Sequence, residues 1–319
     1  MAQLAKKKYR IRNWKKYNTA LVQRGSITIW FSADSIEKWL SKGRTFRKGR
    51  PHIYSDEAIL CMLIIRAVYH LPLRTLQGFV ASLACLMRLS LPVPSYPQIC
   101  RRAMALGQEI KRLSKKRPTD IVFDSSGMKI YGEGEWKVRV HGKTKRRMWR
   151  KIHLAICPDS HDVILECVTE NSVIDSEVVP RMQKKLPKTV KRGYGDGAYD
   201  KEGCYQAFFE GLIEPVVPPQ RNAVLQNEES KPWQRSRNNA LREITGLGGD
   251  DDARKLWKIL KGYHRRSLAE TAMYRFKTLF GNSLRSRTMK NQRSEVFSRC
   301  LAMNEMNGLG MPRGKWEIA

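Results

Sequence analysis

Three carboxylates, Asp124, Asp196 and Glu270, stand where an acid needs a chemical reason. Asp124 interrupts the apolar run "DIVFDSSGMKIYG", where an ionised group requires a metal or a cation to offset its desolvation. Asp196 closes the run "VKRGYGDGAYD" and is followed by Gly197, which leaves room for a substrate backbone or for a metal's waters. Glu270, in "YHRRSLAETAMYRFK", is the one acid between Arg254 and Lys290, a segment with eleven Lys or Arg residues. Steps of three, four and seven residues place Tyr263, Arg266, Glu270 and Lys277 on one stripe of a helix. Chemistry on phosphodiesters at neutral pH commonly uses two divalent metals held by a few convergent carboxylates. Mg²⁺ takes oxygen ligands and keeps several waters, so three acids suffice and histidine is not required. Each acid also has a plainer reading. Asp124 caps a neighbouring element, Asp196 begins a turn, and Glu270 pairs with Arg266 one turn earlier for about 0.3–0.5 kcal/mol. Asp175, Asp200 and the run Asp250-Asp251-Asp252 read as helix starts or a solvated loop.

The whole chain supplies a field for such chemistry. Among 319 residues, 60 Lys and Arg face 30 Asp and Glu, a formal net charge of +30. That field attracts polyanions and releases condensed counterions on meeting phosphate, so nucleic acid is the first partner to consider. An anionic membrane is the weaker rival: the longest apolar run, "AILCMLII" at 58–65, is too short to span a bilayer and is closed by Arg66. The opening "MAQLAKKKYRIRNW" is basic and is not followed by the hydrophobic segment of a secretory signal. The seven cysteines are widely spaced without a C-x-x-C pair, and they read as reduced core thiols in a cytosol.

Three stretches must position the acids. Residues 1–50 read as a basic arm with scattered aromatics, in which Ser32 to Ser35 offer caps for a short helix through "IEKWL" and "SKGRTFRKGR" is a flexible tail. Residues 51–117 read as helical. "SDEAILCMLIIRAVYHL" opens with a Ser cap and an acidic first turn, a second helix follows Pro72, and "SYPQICRRAMAL" starts a third with Arg101 and Arg102 exposed on it. Two helices with arginines on the second fit a helix-turn-helix that lays Arg101 and Arg102 in a major groove, and equally fit plain packing with solvated arginines. "KRLSKKRP" reads as a basic linker. From 118 to 319 the pattern is α/β: a strand through Asp124, an alternating "EWKVRV", a hairpin of "KIHLAIC" and "DVILECVTE", then helices and strands in alternation. A meander followed by alternating helix and strand is the order expected of a ribonuclease-H-like mixed sheet. Residues 220–261 lose regularity, apart from a short "ARKLWKILK" helix, and read as an insertion. Its tryptophans, Trp233 and Trp257, suit base stacking or, more simply, packing on the domain below.

"D196-G197-A198-Y199" followed by Tyr263, Arg266, Glu270 and Lys277 resembles the signature of DDE transposases from the four and five families of bacterial insertion sequences. "NWKKYNTALVQRGSITIWF", "LRTLQGFVASL", "GEGEWKVR", "WRKIHLAI" and "GYHRRSLAETAMYRFKTLFG" resemble the family-five branch in the same order, over nearly the whole chain. The resemblance implies a ribonuclease-H-like catalytic domain with Asp124, Asp196 and Glu270 as catalytic metal ligands. It implies two Mg²⁺ ions, with Mn²⁺ as a substitute. Tyr263, Arg266 and Lys277 would contact DNA at the element's end or order the site. The partners it implies are double-stranded DNA, both terminal inverted repeats and target, and at least a homodimer on that DNA, with no membrane, in a bacterial cytoplasm. Two other readings remain open: a DNA-binding regulator or inactive relative that occupies element ends without cutting, and a resolving or repair nuclease of the same fold.

Overall fold

The computed structural model describes residues 7–41, 52–130 and 149–318, so "SKGRTFRKGR" beyond Ser41 and "EWKVRV" lie outside the described residues. Helix starts follow local capping chemistry. After β1 (Lys7–Ile11) come α1 (Trp14–Gln23), α2 (Ile27–Trp30) and α3 (Ala33–Glu37), the last capped by the Ser32 hydroxyl. α3 stops at Glu37, short of the "IEKWL" end, because Trp39 turns inward to a fully buried position and donates its indole N–H to Pro92 O at 2.8 Å. The second half of the expected arm is therefore packed: Trp30, Phe31 and Trp39 are buried in the same core as the helices after them, while Tyr9 and Trp14 stay exposed. Large aromatic rings gain more from burial than the surrounding lysines and arginines lose by staying at the surface.

Those helices are α4 (Asp56–Val68), α5 (Leu73–Leu86) and α6 (Tyr96–Ala103). Ser55 Oγ accepts from Ala58 N at 2.9 Å and Asp56 and Glu57 occupy the first turn of α4, as the cap and dipole rules require. α6 carries Pro97 in its first turn, and the Gln98 side chain accepts from Ser95 N. The layer is not a separate body: α4, α5 and α6 share one hydrophobic cluster with the central sheet and the C-terminal helices.

The sheet is built on β2 (Asp120–Ile130), with β3 (Trp149–Ile156) and β4 (Val163–Glu170) forming the expected antiparallel meander. After a short α7 (Val179–Gln183), β5 (Arg192–Tyr194) returns parallel to β2, α8 (Glu202–Glu210) crosses over, and β6 (Glu214–Val216) pairs parallel to β5. Counted from β2, the spatial order of the five strands is third, second, first, fourth, fifth, the ribonuclease-H-like mixed sheet. One face, with Val122, Leu154 and Tyr194, packs on the helical layer; the other, with Ile121, Phe123 and Ala155, packs on α7 and α8.

Residues 220–261 are more regular than their sequence reads. α9 (Gln234–Gly246) and α10 (Asp251–Leu260) form a helical hairpin around Ala240, Ile244, Ala253 and Trp257. The small size of this cluster explains why polar "RSRNNALREITG" masked a helix: only four apolar residues are buried between the two helices, too few for a clear stripe. Trp257 is buried and donates to Glu243 at 2.7 Å, so its ring is packing, not a stacking platform. α11 (Ser267–Phe280), a short β7 (Ser283–Leu284) beside β2, the long α12 (Met289–Leu309) and β8 (Gly314–Ile318), which pairs with β1, complete the fold.

Under α12, Glu166 on β4 is enclosed with no hydrogen-bond partner for Oε2, and burial pushes its carboxyl up to about 8 against the pull of Arg293. A folded-state value above the unfolded one stabilises the native chain at low pH, and that stability is lost as pH rises through about 8. Glu166→Gln should therefore match the parent in thermal midpoint near pH 4.5 and exceed it by several degrees above pH 8, a difference that calorimetry across that range reads directly.

Candidate active site

The parallel partners β5 and β7 take opposite ends of one edge of β2, residues 120–122 and 129–130. Between those ends Asp124 sits on a stretch that pairs only with β3, and that open notch is covered from above by α11. Alternation along β2 puts Asp120, Val122 and Asp124 on the face toward α11, and Ile121 and Phe123 on the other. Asp196 follows the C-terminal end of β5, where Gly193 and Gly195 let the backbone lie against the rings of Phe208 and Tyr199: a Cβ would meet those rings at 2.7 and 2.9 Å. Asp196 then caps a 3-10 turn, Oδ1 accepting from Ala198 N at 2.9 Å. Glu270 lies in the first turn of α11, whose Ala269, Ala272, Met273 and Phe276 pack into the core and so fix its rotation.

Tyr263 and Arg266 do not share that helix. They lie in a 3-10 turn, Tyr263–Arg266, that begins after Gly262 in the left-handed conformation (φ 63°) and runs into α11. At the junction of turn and helix, Arg266 reaches both along the helix to Glu270, one turn on, and across the notch to the other two acids. Its Nη1 donates to Glu270 Oε1 at 2.5 Å, while Nη2 lies 3.4 Å from Asp196 Oδ2 and 4.0 Å from Asp124 Oδ1. One guanidinium thus bridges three acids from three separate segments. Exposure rises from 15% at Asp124 through 39% at Asp196 to 57% at Glu270, so the cluster has a buried base and an open mouth. Burial pushes Asp124 up to about 6, opposed by the Ser125 amide and Arg266 and assisted by the charges of Asp196 and Glu270. Burial likewise pushes Tyr263 up to about 12, which keeps its hydroxyl a neutral donor. Lys277, in the last turn of α11, stands two turns, about 10 Å of helix rise, beyond Glu270.

Hard oxygen donors around a cation suit a divalent metal chemically. Among the described residues, no three acidic, His or Cys side chains stand close enough as they are to hold an ion, since the Arg266 guanidinium occupies the space between these three.

The arginines of α6 lie apart from this cluster. Arg102 donates to Asp56 at 2.7 Å and to Tyr54 O at 2.9 Å, which ties α6 to the start of α4. Arg101 is exposed.

Two supporting networks had no sequence signal. Arg265 donates to both Asp120 and Asp159, and Arg192 grips the buried Asp120 through two bonds of 2.9 Å. This latch fastens the turn carrying Tyr263 and Arg266 to the base of β2 and β5. Asp200, which reads as a helix start, is instead buried: it pairs with Arg237 at 2.8 Å and accepts from Tyr205 and from Gln220 N, holding α9 to the loop after Asp196. Nothing local marks either network: Asp120 opens β2, and its partners Arg192 and Arg265 lie 72 and 145 residues further along the chain.

A family model described as "Transposase DDE domain" matches residues 115–304, which include all three acids, and a second of the same description matches residues 22–133. Among solved structures, the chain is similar to the Drosophila P element transposase strand transfer complex, at 10% identity over 83% of this chain and 81% of that one, with a TM-score of 0.30. A piggyBac transposase synaptic complex with hairpin DNA matches at 9% identity over 95% of this chain and 83% of that one, with a TM-score of 0.27.

Asp120→Asn should leave Arg192 and Arg265 without their shared charge and cost about 2–4 kcal/mol in urea unfolding, whereas Asp159→Ala, on the exposed side of the same latch, should cost far less.

Proposed function

We propose that this chain, which belongs to the transposase DDE-domain family, cuts DNA at the terminal inverted repeats of a mobile element and joins the freed ends to target DNA. The observation that supports it best is the convergence of Asp124, Asp196 and Glu270 on one guanidinium at the open mouth of the sheet. Three acids this close repel one another unless a cation lies between them, and the family implies a divalent metal for that place. When bound, two Mg²⁺ ions, replaceable by Mn²⁺, supply Lewis acidity at the scissile phosphate.

The chain's own residues do the rest. Asp124, on the rigid centre of β2 and within reach of the charges of both Asp196 and Glu270, would hold the metals together with those two acids. Arg266 balances the acids in the protein alone and is placed to donate to phosphate oxygens beside the scissile bond, and Lys277 extends that positive face along α11. Tyr263 offers a neutral hydroxyl at the same edge. The net charge of +30 draws DNA toward the mouth, and Arg101 on α6 is free to touch its backbone. Joining two ends requires at least two chains on DNA, in the cytoplasm of a bacterial cell. Binding of element ends without cutting is the alternative, and a metal-dependent nicking assay separates the two.

Asp196→Asn should retain binding of a labelled element end and lose strand cleavage in Mg²⁺ to background; continued cleavage by this variant sinks the assignment. Because the Asp124 carboxyl must ionise to bind a metal, the apparent Mg²⁺ affinity in that assay should rise as pH increases through about 6, and stay flat there if Asp124 is not a ligand.

A further inference from the structure

A cavity of about 440 Å³ opens beside the acids, between Gly197 and Tyr263 on one side and α10 on the other, with Pro218 and Pro219 as its floor. Its walls are held in place. Arg254 donates to Pro219 O at 2.8 Å and to Gln220 O at 3.3 Å, tying α10 to the strand end, and buried Trp257 fixes the rotation of α10. That rotation turns Asp251, Arg254, Lys255 and Lys258 toward the cavity, at helical spacing. The cations there are mostly committed: Arg221 to Asp251 at 3.0 Å, Lys255 to Asp252 at 2.8 Å, and Arg254 to the carbonyls. Lys258 alone of the four has neither a carboxylate nor a carbonyl partner among the described residues, and its ammonium lies 5.4 Å from the centroid of the Tyr263 ring. On the opposite wall a Cβ at Gly197 would find nothing nearer than Pro218 O at 3.9 Å, so the chain leaves this space open without needing glycine for its own packing.

We infer that this cavity is a nucleotide subsite of the DNA strand being cut, in which Lys258 binds the backbone phosphate next to the scissile one and Tyr263 and the proline floor carry the sugar. The inference rests on the transposase reading and adds to it a substrate-binding residue outside the Tyr263, Arg266, Glu270 and Lys277 stripe. An uncommitted ammonium set against an aromatic ring, beside metal-binding acids, meets the one recurring charge on DNA, its phosphate. The volume accommodates a single nucleotide unit, since ligand pockets begin at about 300 Å³.

The test measures binding and Mg²⁺-dependent nicking of a labelled duplex containing the terminal inverted repeat. Lys258→Ala should keep the parent's thermal midpoint, weaken binding about fivefold, and lower the slope of log affinity against log salt by about one. Lys258→Arg should restore both, and Lys185→Ala, on the far side of the sheet, should change neither. Replacing phosphates near the scissile bond one at a time by uncharged methylphosphonates should reveal one position at which the parent and Lys258→Ala bind equally. If the parent binds and Lys258→Ala binds with the same affinity and slope, the subsite assignment is overturned. If the parent binds with this Lys258 dependence and nicks at no Mg²⁺ or Mn²⁺ concentration, the cleavage reading fails while the phosphate contact stands.

Discussion

Three carboxylates drawn to within reach of one guanidinium set the terms for the rest of the molecule. Like charges gathered around one group repel unless a cation lies among them, and the effect grows with burial. Asp124, the most enclosed of the three, is held up near 6 by that environment, whereas Glu270 at the mouth keeps its contact with water. Arg266 resolves the conflict in the protein alone. Its position at the start of α11, facing the notch, is what allows one side chain to reach acids on β2, after β5 and one turn along α11.

That position is inherited from parts of the chain that do no chemistry. The sheet supplies a notch because β5 and β7 pair with the two ends of β2 and leave its middle open. The Asp120, Arg192 and Arg265 latch fixes the 3-10 turn to that sheet, and the Asp200–Arg237 pair fixes the helical hairpin to the loop after Asp196. Both networks enclose a carboxylate about as fully as a core residue and meet it with arginine, whose planar fork satisfies two oxygens at once. Removing one partner from such a pair costs more than the pair itself contributes, so these contacts constrain geometry more than they add stability. The helical layer takes part as well, since its apolar faces close the same core that seats α11.

Much of this was legible in the sequence, for identifiable reasons. Ser55 before an acidic first turn marked α4, the proline of "SYPQICRRAMAL" marked α6, the alternation of "KIHLAIC" and "DVILECVTE" marked the β3–β4 hairpin, and Asp196-Gly197 marked the end of a strand. These are local signals, each decided within a few residues. The stripe from Tyr263 to Lys277 is not one continuous helix, because spacing of three and four suits a 3-10 turn leading into a helix as well as a helix throughout. The helix of "RSRNNALREITG" escaped because its stripe is short, and the aromatic arm escaped because aromatics among cations read as exposed until a core exists to receive them.

The sequence by itself determined the β3–β4 hairpin, the helix starts of the N-terminal layer and the cationic character of the chain, and it singled out three acids for the site, since periodicity, capping and charge are properties of neighbouring residues. Only the tertiary structure decided that Arg266 is the counter-ion shared by all three acids, that Arg102 ties α6 to α4, that Asp200 is a buried anchor, and that Lys258 faces the cavity beside the site against the Tyr263 ring. Each of these depends on a contact between segments tens of residues apart. A carboxylate or guanidinium carries no local mark of the partner that folding will bring to it.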